Sequence, residues 1–413
     1  MPLFIHAADL HLDSPLRGLE TYEGAPDPEE IRGATRQALI NLVDLALDER
    51  VALLVISGDL YDGDWPDFST GLFFSQQMLR LADAGVQVTI ACGNHDAQNK
   101  MTKTLVLPDN VRFFSARKPE TFLVDEIHAA VHGQSYAAAE TTQNLAAGYP
   151  EPRAGMLNIG VLHCLISGAG GHQRYAPCTL DDLSAKGYQY WALGHVHDYT
   201  VLRRQPLIIY PGCSQGRHVK ETGPKGCVAV SMADGVLSHD FIRLDSVQWM
   251  VVAADISGAE TLGQAADMFA RTLESRLADA GGRLCCIRAI LKGRTGLHGR
   301  LTINPEEVTA NIRSVAADVS GQRVWVEKVL METRSQLDLD TLAESDTPQG
   351  ELLRYMQALD SAEDLDFDLT ALRSKLAGSG IDLPLEDQPE LLRGAKDILI
   401  SMLTETDDGD WLP

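Results

Sequence analysis

Five times along this chain, a short run of mostly apolar residues stops abruptly at Asp, His or Asn. LFIHA (3–7) leads to Asp9-Leu10-His11, LLVIS (53–57) to Gly58-Asp59-Leu60-Tyr61-Asp62, and VQVTIA (86–91) to Gly93-Asn94-His95-Asp96. LNIGVLH (157–163) ends on His163 itself, and YWALGH (190–195) runs into His195-Val196-His197. Short apolar runs without alternation read as strands buried on both faces, and such strands belong to layered α/β folds. In those folds ligand groups collect beyond the carboxyl ends of the strands, so this pattern gathers five polar loops at one edge.

The intervening segments agree. EEIRGATRQALINLVDLALDE (29–49) and FSTGLFFSQQMLRLADAG (68–85) carry apolar residues at helical spacing, and Gly85 is placed to end the second helix. HAAVHG (128–133) and LIIYPG (207–212) add strands, while GCVAVSM and GVLSHDFIRL, joined across Ala233-Asp234-Gly235, predict a hairpin with an Asp-Gly turn. A second unit starts near Ser246 with strand QWMVVAADI (248–256), helix 261–280, strand LCCIRAILK (284–292), helix 305–318 and strand RVWVEKVL (323–330). The predicted division is 1–245, 246–331 and 332–413: a strand-rich core, a small α/β domain and a helical tail containing GELLRYMQALD, DLTALRSKLAG and PELLRGAKDILISMLT.

Charge is unevenly spread. The chain has 413 residues and a net charge of −23, and the segment from Glu332 onward, with 20 acidic and 6 basic residues, carries −14 of it. Such a balance repels polyanions on average and excludes non-specific coating of nucleic acid, but it leaves room for a local basic groove. Seven cysteines form an odd set with no CxxC pair, which suits a reducing compartment, and no eighteen-residue apolar stretch occurs. The expectation is a cytoplasmic protein with no membrane contact.

Carboxylates, imidazoles and an amide without thiolates suit a divalent cation such as Mn²⁺ or Fe²⁺ better than a structural zinc. Gly58, Gly93 and Gly194 sit at sharp strand exits, where close backbone approach is needed. An isolated DxH, or His163 alone, would read as a satisfied core or surface residue. Five segments agreeing in order and strand-end position do not. Asp96 is as well explained by a helix cap as by catalysis.

The ordered DxH, GDxxD, GNHD, H and GHxH series resembles the calcineurin-like metallophosphoesterase superfamily over roughly the first 245 residues. The resemblance implies a β-sandwich flanked by helices, followed by a small α/β capping domain and a helical C-terminal tail. It also implies two metal sites: Asp9, His11, Asp59 and His197 for one ion, and Asp59, Asn94, His163 and His195 for the other, with Asp59 bridging. By the same likeness His95 would assist the leaving group and Asp62 would orient it. The cofactors expected are two divalent ions, Mn²⁺ first and Fe²⁺ second.

Later stretches narrow the resemblance. Residues 163–178, 190–197, Tyr210-Pro211-Gly212-Cys213-Ser214-Gln215-Gly216-Arg217-His218 and Glu221-Thr222-Gly223-Pro224-Lys225-Gly226 look like the SbcD-type DNA repair exonucleases, in particular their YhaO-like branch. Position 213, usually Asn in that branch, is Cys here, which affects a loop contact rather than a ligand. The likeness implies a DNA exonuclease, 3′ to 5′ with some single-strand endonuclease activity, whose tail docks on an SMC-like ATPase. A homodimer is compatible with it. Arg174, Arg203, Arg204, Arg217, His218, Lys220 and Lys225 are cationic residues expected in loops flanking the metals, and Arg174, Arg217, His218 and Lys220 are the candidate DNA contacts. Tyr190 and Trp191 are expected in the core. The chain has no GxxxxGK[ST] loop, so ATP hydrolysis falls to a partner. The rival readings are a small-molecule phosphodiesterase or protein phosphatase of the same superfamily, and a catalytically idle adaptor for the ATPase.

Overall fold

The computed structural model describes residues 2–14, 22, 25–62, 68–98, 105–166, 175–336, 339–358 and 399. Two compact units are present: Met1–Met250 together with Arg283–Cys286, and Val251–Gly282 together with Ile287–Pro413.

The first unit is built on two six-stranded sheets. One contains β1 (Phe4–Ala7), β2 (Leu53–Ile56), β3 (Gln87–Ile90) and β4 (Val111–Phe113) in parallel. It is completed by the antiparallel hairpin β11 (Gly226–Ala233) and β12 (Val236–Arg243), in the order β12-β11-β1-β2-β3-β4. The other contains β5 (Glu120–Val124), β6 (Ala129–Gly133), β7 (Leu157–His163), β8 (Tyr190–Gly194), β9 (Thr200–Arg204) and β10 (Leu207–Tyr210), in the order β5-β6-β7-β8-β10-β9. Its four central strands are parallel.

Alternation along each strand explains the layering. In β1 Phe4 joins a cluster with Leu53, Val55, Val131, Ile159, Val161 and Ile209, so residues of both sheets share one core. Its neighbour Ile5 faces the other way and packs with Leu54 and Ile56 against Leu39, Leu42 and Val43 of helix α2 (Ala34–Asp48) and Phe74 and Met78 of α3 (Ser69–Asp83). On the far side of the second sheet Trp191, Leu193 and Ile208 pack on Leu183 of α4 (Leu180–Ala185), and Trp191 donates its indole N–H to the Leu183 carbonyl at 3.0 Å. Tyr190 and Trp191 are fully buried. The result is the β-sandwich flanked by helices that the sequence led us to expect.

Most strand runs lie within two residues of their expected places, and Asp234 and Gly235 form the hairpin turn with φ of 52° and 79°. The expected single helix over 29–49 is two, α1 (Pro28–Arg32) and α2. Gly33 ends the first, its N–H bonding back to Glu29, and opens the second. Strands β4, β5 and β9 and helix α4 were not expected.

The second unit holds β13 (Val247–Asp255), β14 (Leu284–Thr295) and β15 (Val324–Ser335) as a three-stranded sheet, strands β13 and β14 beginning in the first unit. Its helices are α5 (Leu262–Leu277), α6 (His298–Ile303), α7 (Pro305–Ser320), α8 (Leu339–Ala343) and α9 (Pro348–Ala358). The tail helices expected at DLTALRSKLAG and PELLRGAKDILISMLT lie outside the described residues, apart from residue 399. Among the described residues no helix is long and apolar enough to cross a membrane.

Candidate metal centre

Sheet register sets the site. Ala7 pairs with Ile56 and Ile56 with Ile90, so β1, β2 and β3 end level with one another. Backbone bonds continue the ladder past the strands, from Asp9 N to Gly58 O at 2.9 Å and from His11 N to Asp59 O at 3.0 Å. In the other sheet His163 pairs with Gly194, and a parallel bridge between Ala8 and Cys213 ties the two sheets together at this edge. Asp9, His11, Asp59, Asn94, His163, His195 and His197 all emerge here.

They fall into overlapping groups. Ligand atoms of Asp9, His11 and His197 lie within 4.8 Å of one another, and so do those of Asp9, Asp59 and His163. His11 Nε2 is 3.9 Å from Asp59 Oδ2 and His163 Nε2 is 3.4 Å from the same oxygen, so Asp59 stands between the two imidazoles. Asn94 Oδ1 is 3.1 Å from His163 Nε2, and the His195 ring lies 5.2 Å from that of His163, centroid to centroid. The backbone N–H of His195 donates to both oxygens of Asp9, at 3.1 and 3.0 Å.

The donor set fits divalent cations. His163 Nδ1 is 3.0 Å from the Ser57 carbonyl, which can only accept, so Nδ1 carries the proton and Nε2 a lone pair. That lone pair faces the amide oxygen of Asn94. His197 Nδ1 likewise donates to Glu221 Oε1 at 2.7 Å, which aims its Nε2 lone pair at His11 Nε2, 3.3 Å away. Two acceptors at the 3.1 Å of His163 Nε2 and Asn94 Oδ1 repel unless a cation lies between them. Burial lowers His11 to about 4 and His163 and His195 to about 3, keeping these imidazoles neutral for coordination. Burial also pushes Asp9 up to about 7, opposed by His197 and reinforced by Asp59, so Asp9 needs positive charge beside it to stay ionised. On His197 burial is outweighed by the Glu221 hydrogen bond together with the charges of Asp9 and Glu221, and its pKa lies above the ordinary value.

Backbone strain accompanies this crowding. Asp9, His11, Asp59 and His195 have φ of 51°, 42°, 50° and 106°, the left-handed side that L-residues seldom occupy. The glycines make the approach possible. A Cβ on Gly93 would sit 2.3 Å from Asp59 Oδ1, and one on Gly194 would sit 1.9 Å from the Ser57 carbonyl oxygen and 2.9 Å from His163 Nδ1. Gly194→Ala is therefore expected to destabilise the fold by about 3 kcal/mol or more, the upper end of an overpacking cost, because a backbone atom cannot swing aside. A denaturant melt measures it, and a variant within about 1 kcal/mol of wild type would refute the contact.

Beside the candidate ligands, His95 Nδ1 is 3.0 Å from Asp62 Oδ1, and its backbone N–H donates to Asp59 Oδ1 at 3.0 Å. Asp62 also accepts from Ser14 Oγ at 2.7 Å. Its contacts with His11, His95 and Ser14 hold it well below the usual carboxylate range, and the Asp62 hydrogen bond raises His95 above its ordinary value. Asp96 accepts the N–H groups of Tyr61 and Gly93, both at 3.0 Å, a structural role that shapes the loop carrying Asn94 and His95.

The cationic residues divide. Lys220 is exposed and His218 half-buried near this edge, whereas Arg174 lies outside the described residues. The loop placement expected for two others is corrected. Arg203 and Arg204 belong to β9, Arg203 pairing with Asp181 at 3.1 Å. Lys225 is 3% exposed and donates to the His197 carbonyl and Asp198 Oδ1, because an ammonium buried this far needs paired acceptors. Arg217, expected to face DNA, is only 12% exposed and lies against Glu221. Glu221 and Ser57 carried no role in the sequence reading. Ser57 acts through its carbonyl, which leaves no side-chain signal, and Glu221 lies 24 residues beyond His197, where no spacing rule reaches.

Comparison with known proteins agrees with this geometry. The calcineurin-like phosphoesterase family model matches residues 2–199, and the family model described as the middle domain of metallophosphoesterase YhaO matches residues 249–334. The chain is 37% identical over 296 residues to the uncharacterised metallophosphoesterase YhaO of Bacillus subtilis, covering 70% of this chain and 71% of that protein. It is 26% identical to the DNA double-strand break repair protein Mre11 of Methanopyrus kandleri, over 46% of this chain and 44% of that one. To the Mre11 of Sulfurisphaera tokodaii it is 27% identical, over 48% and 50%. The chain thus spans half or less of the length of these two Mre11 relatives.

Proposed function

This chain belongs to the calcineurin-like metallophosphoesterase family, and from that premise we propose that it is a dinuclear DNA exonuclease, working 3′ to 5′ with some single-strand endonuclease activity beside an SMC-like ATPase. The observation that carries the reading is the His95–Asp62 pair, 3.0 Å apart, standing next to ligand groups that converge on Asp59.

When bound, two divalent cations, Mn²⁺ in this proposal, supply a nucleophile at neutral pH and relieve charge on the phosphoryl oxygens. Asp9, His11, Asp59 and His197 would hold one, and Asp59, Asn94, His163 and His195 the other. The remaining work falls to the chain. Asp62 accepts the Nδ1 proton of His95, which fixes the ring and leaves Nε2 to deliver a proton to the departing oxygen. The Asp62 hydrogen bond raises the pKa of His95 and so favours the protonated ring. Ser57 and Glu221 hold His163 and His197 in the tautomers that present Nε2.

A polymeric substrate is favoured by openness: His95 is 41% exposed and His197 26%, so the reacting edge lies at the surface. Exposed Lys220 and half-buried His218 suit backbone phosphates. The names of the Mre11 relatives point the same way. The ATPase contact is assigned to 332–413, where the described part of α9 exposes Leu352 and Tyr355.

The test is digestion of end-labelled single- and double-stranded DNA with Mn²⁺, with and without the ATPase, beside cyclic nucleotides and phosphopeptides. A ladder receding from the 3′ end is expected. Fast turnover of a cyclic nucleotide or phosphopeptide with no ladder on either DNA would reject the DNA assignment.

A further inference from the structure

We infer that Arg217 is a positioning residue that locks the leaving-group acid and a metal-ligand imidazole into one frame. The inference rests on the phosphoesterase reading and does not require the substrate to be DNA. The guanidinium is a fork with two faces in use. Its Nη2 and Nε donate to Glu221 Oε1 and Oε2 at 2.8 and 3.3 Å, and the backbone N–H of Arg217 adds a bond to Oε2 at 2.8 Å. On the other side Nη1 lies 3.6 Å from Asp62 Oδ2.

Each of those carboxylates holds an imidazole. Glu221 accepts from His197 Nδ1 at 2.7 Å, and Asp62 pairs with His95 Nδ1 at 3.0 Å. The series His95–Asp62–Arg217–Glu221–His197 therefore runs from the group that protonates the leaving oxygen to a ligand of the metal centre, its Asp62–Arg217 step an ion pair and the others hydrogen bonds. Glu221 is 5% exposed, and a carboxylate buried that far needs its cation to stay ionised and in place. Without the guanidinium Glu221 loses two hydrogen bonds and keeps the backbone bond from residue 217, so the carboxylate that aims His197 Nε2 is held less firmly. Lysine could not substitute, because a single ammonium cannot serve two carboxylates with the geometry of a planar fork.

A phosphate contact is the competing role for this residue. An incoming phosphate would have to displace Glu221 from two guanidinium hydrogen bonds, in a side chain that is 12% exposed. His218, 45% exposed and next in sequence, meets solvent without that penalty.

Arg217→Met keeps most of the stem and removes the fork. In the full-length protein, Mn²⁺ affinity by calorimetry is expected to fall about 10–100-fold, the usual effect of losing an outer partner of a ligand. With bis(p-nitrophenyl) phosphate at saturating Mn²⁺, kcat is expected to fall by a similar factor while KM stays within about twofold, since the substrate itself is not touched. The salt dependence of DNA affinity should keep its wild-type slope. Unchanged Mn²⁺ affinity and kcat, with a slope shallower by about 0.7–0.9, would overturn the inference and make Arg217 a phosphate contact.

Should Arg217→Met fail to fold, Arg217→Lys and Glu221→Gln carry the test. Both are expected to weaken Mn²⁺ binding, and their combination should be no worse than the weaker binder of the two. Additive losses would show independent roles and overturn it. Because bis(p-nitrophenyl) phosphate holds a phosphodiester without any nucleotide, activity on it with none on DNA rejects the DNA assignment and leaves this inference standing.

Discussion

Asp59→Asn is expected to abolish hydrolysis and strip the metal centre. Asp59 is 2% exposed, His11 Nε2 and His163 Nε2 approach one of its oxygens at 3.9 and 3.4 Å, and the other accepts the His95 backbone N–H at 3.0 Å. An amide preserves that shape but offers one neutral acceptor where two cations require a shared negative charge. The loss should therefore appear in metal content as well as in rate. Elemental analysis of the purified variant together with a bis(p-nitrophenyl) phosphate assay decides it. Two equivalents of metal with wild-type activity would disprove the bridging assignment.

His95→Ala separates chemistry from coordination. Turnover is expected to fall by about 10²–10⁴-fold, the range for removing a positioned acid–base group, with metal content unchanged. The basis is that Nδ1 is committed to Asp62, and that the Asp62 hydrogen bond raises the pKa of a ring 41% exposed to an incoming substrate. A substrate with a good leaving group such as p-nitrophenolate should suffer less than DNA, because less proton transfer is needed at the departing oxygen. Loss of metal along with rate would identify His95 as a ligand instead.

Strand-end clusters made the centre legible. A residue one to three places beyond a parallel strand has its position set by the sheet register, so reading five strands also located the seven candidate ligands at one edge. Asp96 was open between cap and catalysis, and two backbone N–H groups account for it. What escaped the sequence has physical causes. Strands β4 and β9 are short or half-exposed edge pieces, with burial too slight to leave a clear pattern. Gly33 interrupts 29–49 although the apolar spacing runs through it, because periodicity reports the buried face and not the backbone break. Glu221 and the buried pairing of Arg217 were passed over since a charged residue in a polar loop looks the same whether it meets solvent or a buried partner. Only the fold brings Asp62 to within reach of Arg217.

The left-handed backbone at Asp9, His11, Asp59 and His195 has an evolutionary consequence. Each such residue costs about 1 kcal/mol or more, which glycine would avoid. A laboratory lineage selected for heat resistance alone would drift toward glycine or asparagine at these four places and gain stability as it lost its ligands. One selected for turnover would retain the strain and accumulate compensating substitutions in the two sheets, far from any reacting atom. Sequencing the survivors of both regimes would separate the residues kept for chemistry from those kept for folding.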